Sequence, residues 1–314
     1  MSQKSIAVIG QGFVGGSLTT VFSERGFNVF TYDKAGKQAP LGLNPVTRSG
    51  VAYPASNVTE LVNATEAKEN FSKVYFVCLP TPMYEDGSAD LSIVEGVLRE
   101  LANIPGERIA VVKSTVPPGS VETWNKKFSN SGLRVIFNPE FLTEANAVDD
   151  MRNQNRIILG GPRPYINTVK QVFQSAFPNV PLVKTSSTTA EMVKYFTNVQ
   201  LAARVVLSCE LWQICEKLDA QGLNIDYDKV KEYANYDKRL GGSHMTVPGF
   251  DGVPGARGHC FPKDLNALIA VAKELGVKPS VMSGVWEKNL EVVPPEHRDW
   301  EKMVGRAISK KENR

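Results

Sequence analysis

Residues that bind metals or form disulfides are scarce in this chain. Its 314 residues include four cysteines and three histidines. Cys78, Cys209, Cys215 and Cys260 show no C-x-x-C spacing and no histidine at ligand spacing, so no metal site is expected. They form no disulfide framework either, which fits a reducing compartment. Charge of one sign is also lacking. A net charge of +3 is too small to argue for nucleic acid or an anionic membrane surface as a partner. No apolar run reaches membrane-spanning length, and no leader-like segment opens the chain. The expectation is a cytoplasmic protein with no membrane partner. What is present is ordinary globular composition, 42% hydrophobic and 22% charged, long enough for two domains with a core each.

The first half alternates apolar runs with helical stretches. Ser5-Ile6-Ala7-Val8-Ile9 reads as a parallel strand covered on both faces. It feeds into Gly10-Gln11-Gly12-Phe13-Val14-Gly15 and then a helix to about Arg25. The glycines permit a tight turn, close approach of backbone to a pyrophosphate, and tight packing of helix on strand. The helix start offers amide groups and a positive dipole end to phosphates. A second strand, Asn28 to Tyr32, ends at Asp33, placed to accept ribose hydroxyls and to disfavour a 2′-phosphate. NAD is therefore the expected cofactor, with Lys34 leaving some tolerance for NADP. Further strands are predicted at Val74–Leu79, Arg108–Lys113, Leu133–Phe137, Arg156–Leu159 and Val180–Val183. Three of them deliver polar residues, Thr81, Thr115 and Glu140 with Glu144, to the carboxyl edge, where open α/β sheets bind ligands. Cys78 reads as core, and Asp86 to Leu91 as a turn followed by a capped helix.

The second half is built on one long helix. Thr188-Thr189-Ala190-Glu191 reads as a capping box opening a helix to about Leu218, closed near Gly222. Its apolar residues cover more than one face, which predicts burial between domains and a partner subunit. Lys194 and Asn198 are four apart and share a face, either as a solvated pair or as an oxyanion clamp; spacing favours the solvated pair. Beyond it lies Gly258-His259-Cys260-Phe261-Pro262-Lys263-Asp264, reached through Gly249, Gly252 and Gly255. Glycines at that density predict a loop whose backbone must approach something closely. Lys263 and His259 are placed to lower the thiol pKa, and Asp264 to order a water or a base, so Cys260 is a candidate nucleophile. A last helix is expected from Leu265 to Leu275, then a helical tail ending in a frayed mixed-charge stretch with Lys310, Lys311, Glu312 and Arg314. The fold class expected is α/β: a Rossmann-like doubly wound parallel sheet over 1–187, followed by a helical domain over 188–314 carrying the cysteine loop.

Taken together, the blocks GQGFVG at 10–15, PTPMYEDGSADLS at 80–92, STVPPGS at 114–120, NPEFLTEANAVDD at 138–150, EMVKYFTN at 191–198, CELWQICEKL at 209–218 and GHCFPKD at 258–264 resemble the UDP-glucose/GDP-mannose 6-dehydrogenase family. They run in family order to about residue 290. The resemblance implies NAD-dependent oxidation of a nucleotide-sugar C6 alcohol to the carboxylate through a cysteine thioester. It implies Cys260 as nucleophile, Lys194 and Asn198 at the oxyanion, Asp264 and Thr115 in the water and proton network, Glu144 as hydrolytic base and Glu140 as a supporting carboxylate. The cofactor-contacting set it implies is Gly10, Gly12, Phe13, Val14, Gly15, Asp33, Lys34, Thr81, Thr115, Glu144 and Lys263. The sugar-contacting set is Glu140, Phe141, Leu142, Lys194, Asn198, Arg239, Gly255 and Gly258. It also implies a homodimer through the 188–218 helix.

The chain departs from the family pattern in three places. About 50 residues follow Cys260, where the family continues into a third α/β domain holding the nucleotide; a separate chain supplying that domain is one expectation. The loop before the thiol reads Gly255-Ala256-Arg257-Gly258, with a bulky cation where backbone is expected to meet sugar. Thr143 and Ala145 stand where Arg and Gly are common. Two alternatives stay open: a two-electron hydroxyacid-type dehydrogenase, against which the thiol argues, and a non-catalytic subunit binding NAD or a nucleotide sugar.

Overall fold

The structure, a computed structural model, describes residues 4–38, 52–249 and 251–310. Lys311, Glu312 and Arg314 of the expected frayed tail, and Phe250 of the glycine-rich loop, lie outside these residues. The chain divides into two compact units, residues 1–81 with 91–194, and residues 82–90 with 195–314.

The first unit is an eight-stranded sheet. Its elements in order are β1 (Ser5–Ile9), α1 (Phe13–Glu24), β2 (Asn28–Tyr32), β3 (Ala52–Ala55), α2 (Val58–Glu66), β4 (Phe71–Val77), α3 (Ser92–Asn103), β5 (Arg108–Val112), α4 (Ser120–Lys127), β6 (Leu133–Phe137), α5 (Ala147–Arg152), β7 (Ile157–Gly160), α6 (Tyr165–Ala176) and β8 (Leu182–Thr185). The spatial order is β3-β2-β1-β4-β5-β6-β7-β8, and all pairs are parallel except β6 with β7, which meet antiparallel at Phe137 and Gly160. The order reverses between β1 and β4, the kind of switch point where doubly wound sheets bind ligands. β1 is buried throughout: Ile6 and Val8 join the core on one face, Ala7 and Ile9 the core on the other. That is why its residues form a continuous apolar run.

Five elements of this unit were not foreseen individually: β3, α2, α4, α5 and α6. The start of α2 is nonetheless a capping box. Asn57 Oδ1 accepts the Glu60 amide at 2.8 Å, and Glu60 Oε2 accepts the Ser56 amide at 2.8 Å. Three expectations are corrected in detail. α3 starts at Ser92 with no side-chain cap, its N-cap position being Leu91, and the Asp86 carboxylate accepts the Ser88 amide in the preceding turn. Cys78 lies just past the end of β4. β4 itself starts earlier, at Phe71, where Ser5 also pairs before a register shift.

α7 (Ser187–Asp219) is the long helix, 33 residues. The cap at its start is Ser186, whose Oγ accepts the Thr189 amide at 3.2 Å, and Glu191 takes no part in it. Gly222, at φ +83°, follows its end, and the Leu223 amide reaches back to the Leu218 carbonyl. Phe196 is 61% exposed, and Leu207, Leu211 and Ile214, at spacings of four and three, form an exposed apolar stripe.

The second unit adds α8 (Tyr227–Ala234), α9 (Phe261–Glu274), α10 (Ser280–Val292), a short 3-10 turn at Pro295–His297 and α11 (Asp299–Lys302). α9 begins four residues before its expected start, directly after Cys260. Its core gathers Met83, Cys209, Cys215, Val292, Val293, Trp300 and Ala307. Among the described residues no helix is long and apolar enough to cross a membrane.

Phe22 lies at the centre of an aromatic cluster in the first unit's core. Its ring meets Phe27, Phe76, Phe173 and Phe177 at centroid distances of 5.1, 5.7, 5.8 and 5.7 Å. Truncation there removes one ring and strands four others. Phe22→Ala is expected to destabilise this unit by about 3–5 kcal/mol, read from urea denaturation followed by far-UV dichroism. A loss below about 1 kcal/mol would show that the cluster collapses without cost.

Candidate active site

The turn from β1 to α1 is shaped by what side chains cannot occupy. Gly10 sits at φ +88°, and a Cβ there would overlap the Cys78 carbonyl oxygen. A Cβ on Gly15 would overlap the Gly10 carbonyl. Around Gly12 nothing lies within 4 Å of a built Cβ, so the first helical turn faces open space. No side chain caps α1, and no acidic residue stands in its first turn. Asp33, at the end of β2, accepts the Gln11 amide on Oδ2 at 2.8 Å and the Ala35 amide on Oδ1 at 2.9 Å. A carboxylate fixed beside a bare, glycine-lined helix start fits a dinucleotide: amides for the pyrophosphate, an acceptor for the ribose. Phe13 and Val14 open that helix, and Lys34 is exposed beside Asp33.

The strand ends beyond this turn are tied together. Thr81 Oγ1 donates to the Thr115 carbonyl at 2.7 Å. Ser114 Oγ donates to the Leu79 carbonyl at 2.6 Å and accepts the Leu79 amide at 3.0 Å. Both threonines are buried.

After β6 the chain turns through Asn138-Pro139-Glu140, and here two cations are buried. Lys194 Nζ donates to Glu140 Oε1 at 2.8 Å and to the Glu140 carbonyl at 2.7 Å, and Glu140 Oε2 accepts the Leu142 amide at 2.7 Å. Burial pushes the Glu140 carboxyl up, but Lys194, the Leu142 amide and Lys113 together outweigh it and leave the group below the ordinary carboxylate range. The Phe141 ring lies under the Arg156 guanidinium at 3.8 Å. Glu144 stands on the exposed stretch before α5. The second cation, Lys113, directly follows β5 and donates to Asn138 Oδ1 at 2.7 Å, while Asn138 Nδ2 donates to the Ile158 carbonyl at 2.8 Å. Burial pushes its ammonium down to about 8, against the opposing pull of Cys78 and Glu140. The same burial pushes the Cys78 thiol up to about 12, which makes it an inert core group.

Glu191 is a further buried carboxylate. It accepts the Gly119 amide at 2.6 Å and the Val121 amide at 2.8 Å, fastening the start of α4 after the Ser114–Gly119 turn. Burial pushes its carboxyl up to about 7, against those two donors.

In the second unit Cys260 occupies the residue before α9, and the Asp264 amide donates to its carbonyl at 2.9 Å. Asp264 is 1% exposed and held on both oxygens: Asn198 Nδ2 donates to Oδ2 at 2.6 Å, and Lys263 pairs with Oδ1. Lys263 is thus paired with the Asp264 carboxylate. Asp264 itself is locked rather than loosely poised. The solvated-pair reading of the α7 residues is overturned, since Lys194 is 3% and Asn198 7% exposed. Each is buried because it neutralises or satisfies a carboxylate. Arg239 lies at the surface and pairs with Asp237. Arg257 pairs with Asp251 inside its own loop. Gly255 and Gly258 take φ +96° and +74°.

Fold and site define a class: a doubly wound dinucleotide-binding sheet followed by a helical unit with a cysteine at a helix start. The comparisons narrow it. Residues 4–177 match the model of the UDP-glucose/GDP-mannose dehydrogenase family NAD binding domain, and residues 188–291 match that family's central domain. The chain belongs to the UDP-glucose/GDP-mannose dehydrogenase family. It is similar to UDP-glucose 6-dehydrogenase TuaD of Bacillus subtilis, 31% identical, over 91% of this chain and 63% of that protein. UDP-glucose 6-dehydrogenase AglM of Haloferax volcanii is also 31% identical, over 90% of this chain and 69% of its own length. The structure of a UDP-glucose dehydrogenase from Pyrobaculum islandicum aligns with TM-score 0.77 at 28% identity, over 92% of this chain and 68% of that one. The chain therefore spans about two thirds of the length of these relatives.

The buried Lys113 gives a direct test. Its folded pKa lies below the ordinary lysine value, so its burial costs stability below about pH 8 and the cost is relieved as pH rises toward 10.5. Relative to Lys113→Met, the parent is expected to gain up to about 3 kcal/mol across that window, at 1.36 kcal/mol per pH unit. Denaturant titrations of both proteins at pH 7.5 and 10 measure it, and a constant difference would refute it.

Proposed function

We propose that this protein oxidises the C6 alcohol of a nucleotide sugar to the carboxylate in two successive two-electron steps, using NAD and passing through a thioester on Cys260. The observation that carries this reading is the cluster at the start of α9, in a chain of this family. Cys260 precedes the helix, and Asp264, one turn on, is fixed by Asn198 and Lys263. A simple alcohol-to-aldehyde oxidation needs no thiol at such a position.

NAD supplies the hydride acceptor for each oxidation. The chain's residues do the rest. Cys260 Sγ adds to the C6 aldehyde carbon to give a thiohemiacetal, whose oxidation leaves a thioester. Water then adds to that carbonyl, the C–S bond breaks, and the carboxylate leaves as the thiol is regained. Lys194 and Asn198 are assigned to the oxygen that gains negative charge, a task for donors held in place before the reaction. Their hydrogen bonds to Glu140 and Asp264 hold them there without further reorganisation. Asp264 and Thr115 are assigned to the water and its protons, and Glu144 to the hydrolytic base. Glu140 supports Lys194. Phe141, Leu142, Arg239, Gly255 and Gly258 are assigned to the sugar nucleotide. A thiol that must stay reduced fits the cytoplasm.

Two copies meeting over α7 complete the proposal, supported by the exposed stripe of Leu207, Leu211 and Ile214. Leu211→Glu places a charge in that stripe and is expected to shift sedimentation toward the monomer. An unchanged sedimentation coefficient would place any self-association elsewhere.

The test of the chemistry is NADH formed per UDP-glucose consumed. Two NADH per sugar are expected from the parent, and Cys260→Ser is expected to stall before the carboxylate is released. One NADH per sugar, indifferent to loss of the thiol, would overturn the thioester route.

A further inference from the structure

The loop that presents Cys260 is pinned by the segment after α10. Gly255 and Gly258 stand at positive φ on either side of Ala256 and Arg257, so the backbone here has little stiffness of its own. Its order is imposed by three fixed groups. Asn289 on α10, fully buried, accepts the Ala256 amide on Oδ1 at 2.7 Å and donates through Nδ2 to the Ala256 carbonyl at 3.0 Å. A Cβ on Gly255 would run into the Val293 side chain. Asp299, the first residue of α11, accepts the Gly258 amide on Oδ1 at 3.0 Å and on Oδ2 at 3.3 Å.

Asp299 is itself held. Trp300 beside it is buried and its ring lies 5.8 Å from that of Trp286. Arg298 donates from Nη2 to the Leu290 carbonyl at 2.7 Å, which closes the end of α10. Farther on, the Met83 amide donates to the Ala307 carbonyl at 2.8 Å, the Ser309 amide donates to the Met83 carbonyl at 2.8 Å, and Ser309 Oγ donates to Asp90 Oδ2 at 2.6 Å. The segment from Val293 to Ser309 is thus a strap anchored at both ends inside the second unit, with Asp299 directed at the cysteine loop.

We propose that Asp299 is a positioning residue for Cys260, acting through the Gly258 amide two residues before the thiol. A carboxylate acceptor suits the task, because a hydrogen bond to a charged group is stronger than one between neutral partners. Without it, a turn with glycine at positive φ samples other conformations and the thiol loses its fixed direction. The catalytic part of this inference rests on the reading of Cys260 as nucleophile, whereas the positional part does not.

The experiment compares the full chain with Asp299→Ala and Asp299→Asn, the latter keeping an oxygen for the Gly258 amide. Carbamidomethylation by iodoacetamide is followed cysteine by cysteine by peptide mass spectrometry, and kcat and KM are measured with UDP-glucose and NAD. In D299A, Cys260 is expected to react about tenfold faster and kcat to fall about tenfold, the change expected when one charge-assisted hydrogen bond is lost. KM for NAD is expected to stay unchanged, Cys209 and Cys215 to stay protected, and D299N to restore both readouts to within about threefold. Unchanged Cys260 reactivity in D299A, or D299N behaving like D299A, would overturn the proposal. If Cys209 and Cys215 also become reactive in D299A, Asp299→Ser replaces it under the same outcomes. Its hydroxyl keeps a polar side chain at this position but is too short for the Gly258 amide. A parent that turns over no nucleotide sugar counts against the dehydrogenase reading alone, and the alkylation comparison, which needs neither NAD nor sugar, then decides the role of Asp299.

Discussion

A buried carboxylate must be answered by a donor or it will not stay ionised, and much of this protein's site follows from that requirement. Glu140 is answered by Lys194 within the first unit, and Asp264 by Asn198 and Lys263 within the second. α7 contributes one donor to each pair. The pairs convert flexible side chains into fixed ones: a lysine with two oxygens to satisfy loses its rotamer freedom, and so does a carboxylate bound at both oxygens. Rigid donors of this kind stabilise developing charge without reorganising during a reaction. Glu191 is met by amides alone, and burial raises its carboxyl to about 7. Two amides at the start of α4 answer it, and the polar residues of the Ser114–Gly119 turn are held in place as a result.

The sheet was legible because its signal is local. Every strand of the doubly wound core except β3 is an apolar run ending near a glycine, proline or polar residue, and the turn after β1 carries its glycines at diagnostic spacing. β3 and α2 escaped for different reasons. β3 is four residues long and contains Pro54, which reads against a strand, yet it sits at the sheet edge, where proline is tolerated. The Asn57–Glu60 capping box was present in the sequence but followed no recognisable apolar run.

The candidate site residues could be named from the sequence, but not their relations. Thr81, Thr115, Glu140, Lys194, Asn198, Cys260 and Asp264 could be named from motif and strand-end position. Their partners could not. Spacing on α7 made Lys194 and Asn198 look solvated, because helical period reports which residues share a face and says nothing about what covers that face. Glu191 matched a capping box by position, while its carboxylate serves a helix 70 residues earlier in the chain. Lys113 could be placed only at the end of a strand run, and it is a buried cation held by Asn138. In each case the deciding contact joins residues far apart in sequence, where no periodicity reaches.

The cysteine loop takes the point further, because its determinants are backbone groups. Glycines give the loop the conformations it needs and, for the same reason, no preference among them. A loop of that kind is specified from outside, by side chains whose geometry matches its amides and carbonyls. Asn289 meets both polar groups of Ala256, and Asp299 meets the amide of Gly258. Neither belongs to a motif that announces chemistry, and both lie in a stretch that reads as a plain helical tail. Ala256 is buried under Asn289, and Arg257 is turned onto Asp251. The loop therefore keeps a defined backbone although its own residues impose little, because the constraint resides in what it is tied to.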